Sequence, residues 1–488
     1  MKKENQSTRR EFLKAAAFGA GLLIGGEQIA FAQRRGVDAG QGRQGRQGRR
    51  ALSIASDNPS IQLQRSLCRR ECGRCVELCR DTTTVYGQSV PPGEDACVYC
   101  GQCTFSCRYN AITEKYHYPA TARAIADPDK IVIASTAPAI RVALGEMYRL
   151  APGTNVEGKI VGALKKLGVD HVIDTTFAAD LTIMEEASEL LQRLEKNDAK
   201  NPPMFTSCCP AWVRFARLFY PGVLPNLSTA KSPVMMQGAL VKTWFAQKTG
   251  INPEKIVHVA LTPCTAKKAE ILLPGMNAAG VSHGKPGMRD VDIALTCREL
   301  AHLLNESKVD FARSQDAPYN SLMGAGSGAG MIFGNTGGVA EAALRTAYKL
   351  LNGKNPPAEF LDLQPVRGMD SVRQASVDLG KRRLSVAVVH GIGKARPVIE
   401  SIRGGARKFD FVEVMACPGG CIGGGGQPPN SGMSAARVKQ LRLDALYKRD
   451  AGQEIRLSCD NPQIKAIYGE FLDKPLGERS KRLLHIAI

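Results

Sequence analysis

The feature that most constrains this chain is the clustering of its cysteines. Eight of the 15 cysteines lie within 40 residues, a density that indicates metal ligation rather than scattered core thiols. They form two quartets, Cys68-x3-Cys72-x2-Cys75-x3-Cys79 and Cys97-x2-Cys100-x2-Cys103-x3-Cys107. The chain must therefore fold so that these thiols meet in compact groups.

Three closely spaced cysteines fit three corners of an iron–sulfur cubane, and the last cysteine of the partner quartet normally closes the fourth. The second quartet has the spacing of bacterial ferredoxins. Residues 57–125 thus resemble a small α+β ferredoxin with two 4Fe-4S clusters, which indicates electron transfer. The predicted ligands are Cys68, Cys72, Cys75 and Cys107 for one cluster, and Cys97, Cys100, Cys103 and Cys79 for the other. Zinc is the alternative, but paired quartets of this spacing rarely bind zinc.

The quartets depart from the ferredoxin pattern in two ways. The first gap of the first quartet is three residues instead of two, which leaves open whether Cys68 ligates iron. Arg80 and Arg108 follow the final cysteines, where proline is usual. Neither departure removes the two-cluster prediction.

The N-terminus has the pattern of an export signal. Arg9 and Arg10 precede a mildly apolar stretch that ends in Ala30-Phe31-Ala32, which predicts a twin-arginine (Tat) signal peptide over residues 1–32. A Gly/Gln/Arg-rich linker follows over residues 33–56. An ordinary basic N-terminal helix is the alternative. The signal predicts a periplasmic or otherwise exported protein that acquires its metal before the Tat machinery exports it, without disulfides and without a transmembrane segment in the mature chain.

Charge narrows the function classes. The formal charge is +19, and each four-iron cluster with its thiolates offsets about two of these charges. No basic run is interleaved with aromatic residues, so the sequence does not indicate nucleic-acid binding.

From Ile131 onward, apolar strands alternate with amphipathic helices, which predicts an α/β domain with ligand sites at strand ends. The predicted strands are KIVIAST, IVHVAL, LSVAVVHG and FVEVMA. The predicted helices are AIRVALGEMYRL, DLTIMEEASELLQRLEK, SPVMMQGALVKTWFAQKTG and GGVAEAALRTAYKLLNG.

Five further cysteines follow apolar strands of this domain. Cys208 and Cys209 lie in TSCCP, Cys264 in TPCTAKK, and Cys417 and Cys421 in ACPGGC. Four thiolates suffice for one cubane, so one of the five is spare.

These three segments resemble the three signature motifs of FeFe-hydrogenases, and the resemblance covers residues 57–488. It implies an H-cluster, which is a 4Fe-4S cubane joined through one cysteine to a two-iron unit with CO, cyanide and a dithiolate bridge. It also implies a two-lobed H-cluster domain over residues 126–440, with mixed or parallel sheets flanked by helices. Residues 441–488 resemble a part that some relatives carry as a separate small subunit.

The resemblance implies a role for each motif residue. The cubane ligands are Cys209, Cys264, Cys417 and Cys421, of which Cys421 also bridges to the two-iron unit. Lys267 hydrogen-bonds a cyanide. The backbone approaches the two-iron unit at Gly419, Gly420 and Gly423 to Gly426, where glycine leaves room. The pocket is completed by Pro138, Ser232, Phe333 and Met415.

A proton path is also implied. The spare Cys208 is the acid–base group beside the open iron site, a role that suits a thiol; an inert buried cysteine is the alternative. The family's path continues through Glu186, Ser228, Glu189 and Arg193. Without the resemblance, the shared helix face of Glu186, Glu189 and Arg193 indicates only a solvated charged face.

Four positions fall outside the family pattern. Thr262 replaces a usual methionine and Val234 a usual glutamine, both at positions expected to line the two-iron pocket. Cys297 and Cys459 match no ligand position, and we interpret them as bystanders.

The resulting hypothesis is an exported FeFe-hydrogenase that interconverts H2 with two protons and two electrons, with H2 uptake as the expected direction. Two 4Fe-4S clusters relay the electrons to an external carrier, a c-type cytochrome or a ferredoxin, and dedicated maturation enzymes supply the two-iron unit. One alternative is a non-catalytic relative similar to the nuclear prelamin A recognition factor, which acts in iron–sulfur assembly. Cys208 and the complete third motif argue against it. An H2 sensor is the other alternative, but no signalling domain is visible in the sequence.

Overall fold

The computed structural model describes residues 51–196, 203–429 and 432–486, and it contains two four-stranded sheets. The predicted signal peptide and the linker up to residue 50 lie outside the described residues. The strands, in chain order, are β1 (Ile61–Leu63), β2 (Ile112–Glu114), β3 (Ile131–Thr136), β4 (His171–Asp174), β5 (Met204–Phe205), β6 (Ile256–Thr262), β7 (Ile293–Thr296), β8 (Val372–Asp378), β9 (Arg383–His390) and β10 (Phe411–Met415).

The two sheets form the two lobes of the large domain. The first has the order β4-β3-β6-β7 and is parallel throughout. The second has the order β5-β10-β9-β8, with β8 antiparallel at its edge. Sheets covered on both faces need strands that are apolar along their whole length, and Ile133 and Val412 are accordingly buried in the two centres. The predicted α/β class and all four predicted strands are confirmed.

Helices enclose both sheets. In the described part of the chain, the α-helices are Arg74–Asp81, Gln102–Ser106, Tyr118–Ala126, Glu157–Leu167, Thr175–Glu195, Pro210–Phe219, Pro233–Leu240, Ala246–Thr249, Lys267–Glu270, Ala278–Ser282, Cys297–Glu306, Gly328–Ile332, Gly338–Asn352, Ala395–Arg403, Ala435–Ala451, Pro462–Ile467 and Glu478–Leu484. Two π-helical turns, Val241–Phe245 and Tyr468–Leu472, continue two of them. No helix in these ranges is long and apolar enough to cross a bilayer.

Three of the four predicted helices are confirmed, but the helix predicted over residues 139–150 is wrong. That segment forms two short 3-10 turns, Pro138–Ile140 and Leu144–Tyr148. The reason is Arg141, which the amphipathic pattern places on a polar face. Its guanidinium is instead buried, with ion pairs to Asp174 at 2.7 Å and Glu157 at 2.5 Å. These tertiary contacts override a weak local helix propensity.

The cysteine-rich segment is small and α+β, as predicted. The antiparallel pair β1–β2 packs with the helices Arg74–Asp81 and Gln102–Ser106 around Ile61, Cys103 and Ile112. Side chains connect it to the large domain. Arg298 forms an ion pair with Glu114 at 2.6 Å, and the Arg214 guanidinium donates to the Cys97 carbonyl at 2.8 Å.

The C-terminal segment is tied to the large domain by buried charges. Asp450 forms an ion pair with Arg345 at 2.8 Å, and both side chains are fully buried. Tyr468 donates a hydrogen bond to Glu185 at 2.5 Å, within the long helix Thr175–Glu195. Separating the segment from the large domain would leave an uncompensated charge in the interior, which is strongly destabilising. The C-terminal segment is therefore part of the same folded unit as the large domain. The predicted boundaries between the domains stay predictions.

Candidate active site

A buried cavity of about 70 Å³ lies between the two sheets. It is lined by residues that directly follow strands of both sheets, such as Pro138 after β3, Cys264 after β6 and Cys417 after β10. Parallel strands place their carboxyl ends along one edge of a sheet, so the strand order brings these loops together.

All five strand-end cysteines line this cavity, namely Cys208, Cys209, Cys264, Cys417 and Cys421. They are unbridged, as are all 15 cysteines of the chain. The thiols surround a space instead of meeting at one point. Within the described ranges, no three or more His, Cys, Asp or Glu side chains lie close enough to hold a single metal ion.

The four predicted cubane ligands form an electrostatically coupled set. Burial, followed by the charge of the neighbouring Cys209, raises the pKa of Cys264 to about 12. Burial and then Cys264, Cys209 and Cys421 raise the pKa of Cys417. Grouped buried thiols are therefore neutral on their own, and iron must displace their protons to bind. The backbone N–H of Ala416 also donates to Cys209 Sγ at 3.4 Å. This donor set suits an iron–sulfur cubane.

The other predicted pocket residues fall into two groups. The cavity lining includes Pro138, Phe333, Met415 and Lys267, together with the two departures Val234 and Thr262. Ser232 instead lines a neighbouring cavity of about 290 Å³, and its hydroxyl has no hydrogen-bond partner among the described residues. The next two residues, Pro233 and Val234, begin the helix Pro233–Leu240 and line the central cavity instead.

Lys267 brings a positive charge to the wall of the cavity. Its Nζ donates to Glu270 at 2.6 Å and to the backbone carbonyl of Cys208 at 3.3 Å. Burial opposes the charge, but Glu270 and Cys264 outweigh burial and raise the pKa of Lys267. The ammonium is thus held in place beside the thiols.

Each of the glycines after Cys421 lies so close to another part of the protein that a Cβ would collide with it. A Cβ on Gly425 would collide with the Cys100 carbonyl of the cysteine-rich segment, and one on Gly424 with the Pro263 carbonyl. A Cβ on Gly423 would collide with the Pro418 carbonyl, and one on Gly426 with Thr296. Gly420, with φ +85°, and Gly424 line the cavity itself. The glycine run therefore mainly allows the cysteine-rich segment and the motif loops to pack closely.

Three residues of the predicted proton path lie on the helix Thr175–Glu195, and Ser228 contacts one of them. Ser228 Oγ donates to Glu189 at 2.8 Å, and Arg193 forms an ion pair with Glu189 at 2.6 Å. Arg193 is one-quarter exposed, whereas Glu186 and Glu189 are buried at 0% and 6% exposure. A solvated charged face is therefore wrong for the two glutamates.

Glu186 stands between Cys208 and Ser228. Burial, followed by the charges of Glu189 and Glu413, raises the pKa of Glu186 to about 8. The Ser207 N–H and the Ser228 hydroxyl lie near enough to lower this pKa in part, but neither carboxyl oxygen of Glu186 makes a hydrogen bond within the described residues. Burial and then Glu186 raise the pKa of Cys208 well above its usual value. The Glu186 carboxyl is thus free to receive a proton near neutral pH.

The outer cysteines lie close together in the cysteine-rich segment, and their division between two clusters stays a prediction. A cavity of about 110 Å³ is lined by Cys79, Cys97, Cys100 and Cys103. The pKa of Cys75 is raised by burial and by Cys107 and Cys68, which places these thiols near one another. Ile112 donates its N–H to Cys107 Sγ at 3.3 Å, a contact typical of cluster ligands.

The two cysteine-rich regions meet at Cys100 and Cys417. Burial and then Cys417 raise the pKa of Cys100. Gln102, next to this contact, donates to the Gly423 carbonyl at 2.8 Å. Cys100 of the outer cavity and Cys417 of the central cavity are thus neighbours.

Sequence reasoning missed Glu413. This glutamate lies within β10, is fully buried, and accepts hydrogen bonds from the Gly337 and Ala340 N–H groups at 2.6 and 2.8 Å. Burial raises the pKa of Glu413 to about 7. A single acidic residue inside an apolar strand was the available signal. Of the two cysteines interpreted as bystanders, Cys297 is buried in the core of the first sheet, and neither Cys297 nor Cys459 lines the central cavity.

Comparison with known proteins links this geometry to one group. The family model described as "Iron only hydrogenase large subunit, C-terminal domain" matches residues 130–425, and "Iron hydrogenase small subunit" matches residues 436–487. The NADP-reducing hydrogenase subunit HndD of Solidesulfovibrio fructosivorans is 45% identical, over 85% of this chain and 72% of that protein. The periplasmic [Fe] hydrogenase large subunit of Nitratidesulfovibrio vulgaris is 43% identical, over 65% and 73%.

Other relatives have a different described role. The cytosolic iron-sulfur assembly component 3 of Mus musculus is 32% identical, over 80% of this chain and 82% of that protein. Among solved structures, a variant of the apo [FeFe]-hydrogenase HydA1 from Chlamydomonas reinhardtii superposes with a TM-score of 0.64. It is 39% identical and covers 75% of this chain and 97% of its own.

Proposed function

The chain belongs to the iron-only (FeFe) hydrogenase family, and we propose that it catalyses H2 = 2 H+ + 2 e−. The observation that carries this proposal is a fifth thiol, Cys208, in the cavity of the four ligand cysteines, with the unbonded carboxyl of Glu186 beside it. Four thiols suffice to hold a cubane, so the fifth is available for proton transfer.

The family's cofactor is the H-cluster, which supplies the iron atoms at which H2 is activated and electrons are taken up. We assign Cys209, Cys264, Cys417 and Cys421 to hold its cubane, and Cys421 would also help to hold the two-iron unit. Lys267 offers a fixed ammonium for a charge-assisted hydrogen bond to cyanide. Pro138, Phe333 and Met415 surround the site with apolar groups that exclude water.

The protons released from H2 need an exit path. The Cys208 thiol, which burial keeps neutral, gives its proton to the Glu186 carboxylate and takes up the proton released from H2 in its place. The pKa of Glu186, about 8, suits this transfer near neutral pH. Ser228, Glu189 and Arg193 then extend the path, and their hydrogen bonds of 2.8 and 2.6 Å support this order. The path ends at Arg193, the most exposed of the five.

The electrons leave in a different direction. The proximity of Cys417 and Cys100 supports transfer from the cubane to an outer cluster held by Cys79, Cys97, Cys100 and Cys103. Cys68, Cys72, Cys75 and Cys107 would hold a second outer cluster, which would offer the electrons an outlet toward an external carrier.

We further propose that the protein works outside the cytoplasm in H2 uptake. The twin-arginine pattern and the periplasmic [Fe] hydrogenase among the relatives support this location. Fractionation of cells that express the full chain tests it. Activity in the periplasmic fraction that is lost in an Arg9→Lys/Arg10→Lys variant is expected, and unchanged activity confined to the cytoplasm contradicts it.

The decisive experiment for the activity is an infrared spectrum of the anaerobically matured protein, in the region where metal-bound CO and cyanide absorb. Sharp bands together with H2-dependent reduction of methyl viologen are expected. Iron without such bands, after maturation that succeeds for a reference hydrogenase, would instead favour a cluster-binding protein like the iron–sulfur assembly relatives.

A further inference from the structure

The outermost cysteines reach the protein surface. Cys68, Cys72, Cys75 and Cys107 are all half-buried, whereas in the other outer set Cys79 and Cys97 are half-buried and Cys100 and Cys103 are buried. If electrons leave from the outer clusters, as the proposed function has it, the surface around Cys68 and Cys107 is where a carrier must dock. The chemistry of this surface then decides which carrier fits.

This exit surface, formed by residues 64–75 and 107–110, is strongly basic. Its two stretches contain five arginines and one acidic residue, Glu71. This excess of positive charge is larger than the charge of about −2 that a four-iron cluster with its thiolates adds. Arg65, Arg69, Arg74 and Arg108 are exposed, and none of them forms an ion pair within the described residues. Their charges are therefore directed to solvent or to a partner.

Two of the arginines are held in position by one ring. The guanidinium groups of Arg69 and Arg108 lie 5.4 and 5.1 Å from the centre of the Tyr109 ring. Arg108 is the residue that replaces the usual proline after the last cysteine. Cation–π contacts restrain side chains that are otherwise flexible, which lowers the entropy lost when a partner binds.

An apolar residue lies within the same surface. Leu67, directly before Cys68, is 45% exposed. An exposed apolar side chain with a charged rim is the usual anatomy of a protein interface. Here the apolar contact would sit next to a cluster ligand, where the distance for electron transfer is shortest.

We propose that the exit surface docks an acidic electron carrier, a small redox protein whose cofactor is surrounded by carboxylates. Charge complementarity raises the rate of encounter and fixes orientation, whereas like charges oppose docking. The surface therefore selects the carrier by charge, and a lysine-rich cytochrome is disfavoured although its haem could accept the electron. This inference rests on the proposed function for its direction of electron flow.

The test measures binding rather than turnover. The matured full-length protein is titrated anaerobically with an acidic bacterial ferredoxin and, separately, with a lysine-rich c-type cytochrome of similar size. We expect a Kd at least about tenfold lower for the ferredoxin, and a rise in that Kd of about tenfold between 50 and 300 mM KCl, because screening weakens charge pairs across the interface.

A charge-reversal variant identifies the surface. Arg69→Glu/Arg108→Glu should raise the Kd for the ferredoxin about tenfold and lower that for the cytochrome. Iron content per chain checks that this variant keeps its clusters. Arg313→Glu is the control, since Arg313 is highly exposed and lies in the loop after the helix Cys297–Glu306, and it should change neither Kd.

Three outcomes would overturn the proposal: tighter binding of the cytochrome, no measurable binding of the ferredoxin, or a ferredoxin Kd unaffected by both salt and charge reversal. If the double variant loses iron, the comparison of the two carriers with the unsubstituted protein still decides. The proposed function is judged separately by methyl viologen reduction with H2. If the protein shows no turnover but its Kd values follow the expected pattern, the catalytic proposal is refuted and the docking proposal is retained.

Discussion

The outer and central cysteine sites of this protein are assembled in opposite ways. In residues 57–125, each cluster takes its predicted ligands from short runs, and one set reaches the surface. In the central cavity, the ligands come from strand ends of two sheets, and Cys209 and Cys417 lie about 200 residues apart. Local spacing suffices to bring the outer cysteines together. The central cysteines meet only in a cavity that the folded core provides.

The largest expected effect comes from removing the spare thiol of the central site. We expect Cys208→Ala to lower kcat for H2 oxidation with methyl viologen by about 10²–10⁴-fold, the range of general acid–base catalysis. The infrared bands should remain, because Cys208 is not a predicted ligand. Cys459→Ala is the control, since Cys459 lies outside the cavity lining and should leave the rate unchanged. Full activity of the Cys208 variant would show that this thiol is inert.

The next effect concerns Glu186 and its pH dependence. Glu186→Gln keeps the shape but cannot accept a proton, so we expect a loss of about 10²-fold in H2 oxidation. The pKa of Glu186 is about 8, so the wild-type rate should rise as the pH passes through that value and the carboxylate forms. The variant should lose this rise. Glu195→Gln, an exposed position at the end of the same helix, should keep both rate and profile. An unchanged pH profile in Glu186→Gln would exclude Glu186 from the path.

A substitution at the junction between the outer and central cysteine sites is expected to have a smaller effect. A Cβ at Gly425 collides with the Cys100 carbonyl, so Gly425→Ala should force the segments apart and cost about 2 kcal/mol. Calorimetry should show a lower Tm, and reduction of the outer clusters by H2 should slow. Gly287→Ala has open space for its Cβ and serves as the control. Equal Tm values for the two variants would show that the junction tolerates the added methyl group.

Removing a predicted ligand of the outermost cluster is expected to have the smallest effect on H2 activation. Cys68→Ala should lower the iron content by about four per chain, because a cubane with three protein ligands is readily lost. H2/D2 exchange should be unchanged, since exchange requires only the central site, while reduction of a protein carrier should fall severalfold. An unchanged iron content would answer the question left by the longer first gap, and would show that Cys68 is not a ligand.

Much of the architecture could be predicted from local patterns. The strands of both sheets follow from apolar runs, since a strand covered on both faces has no polar side. The failure at residues 139–150 has a defined cause. Arg141 matches the polar face of a helix in the sequence, but Asp174 and Glu157 draw it into the interior. Both partners lie beyond the segment, so no local pattern could reveal the outcome.

The site shows the same division. The positions of Pro138, Lys267, Phe333 and Met415 in the cavity wall follow from the motifs, whereas Ser232 lies in a neighbouring cavity. A motif specifies only neighbours along the chain. Successive side chains at the start of a helix point in different directions, so Ser232 faces a different cavity from the residues that follow it. Glu413 was missed for a related reason, because its partners Gly337 and Ala340 are distant in sequence.

The sequence by itself determined the family and the α/β class, and it predicted which cysteines hold iron, because spacing and periodicity are local properties. Only the tertiary structure decided that the glycine run packs the two cysteine-rich regions together, that Glu186 is buried without a hydrogen-bond partner among the described residues, and that the outermost cysteines lie among exposed arginines. Burial, desolvation and the proximity of charges arise between segments far apart in the chain, and they exist only once the chain has folded.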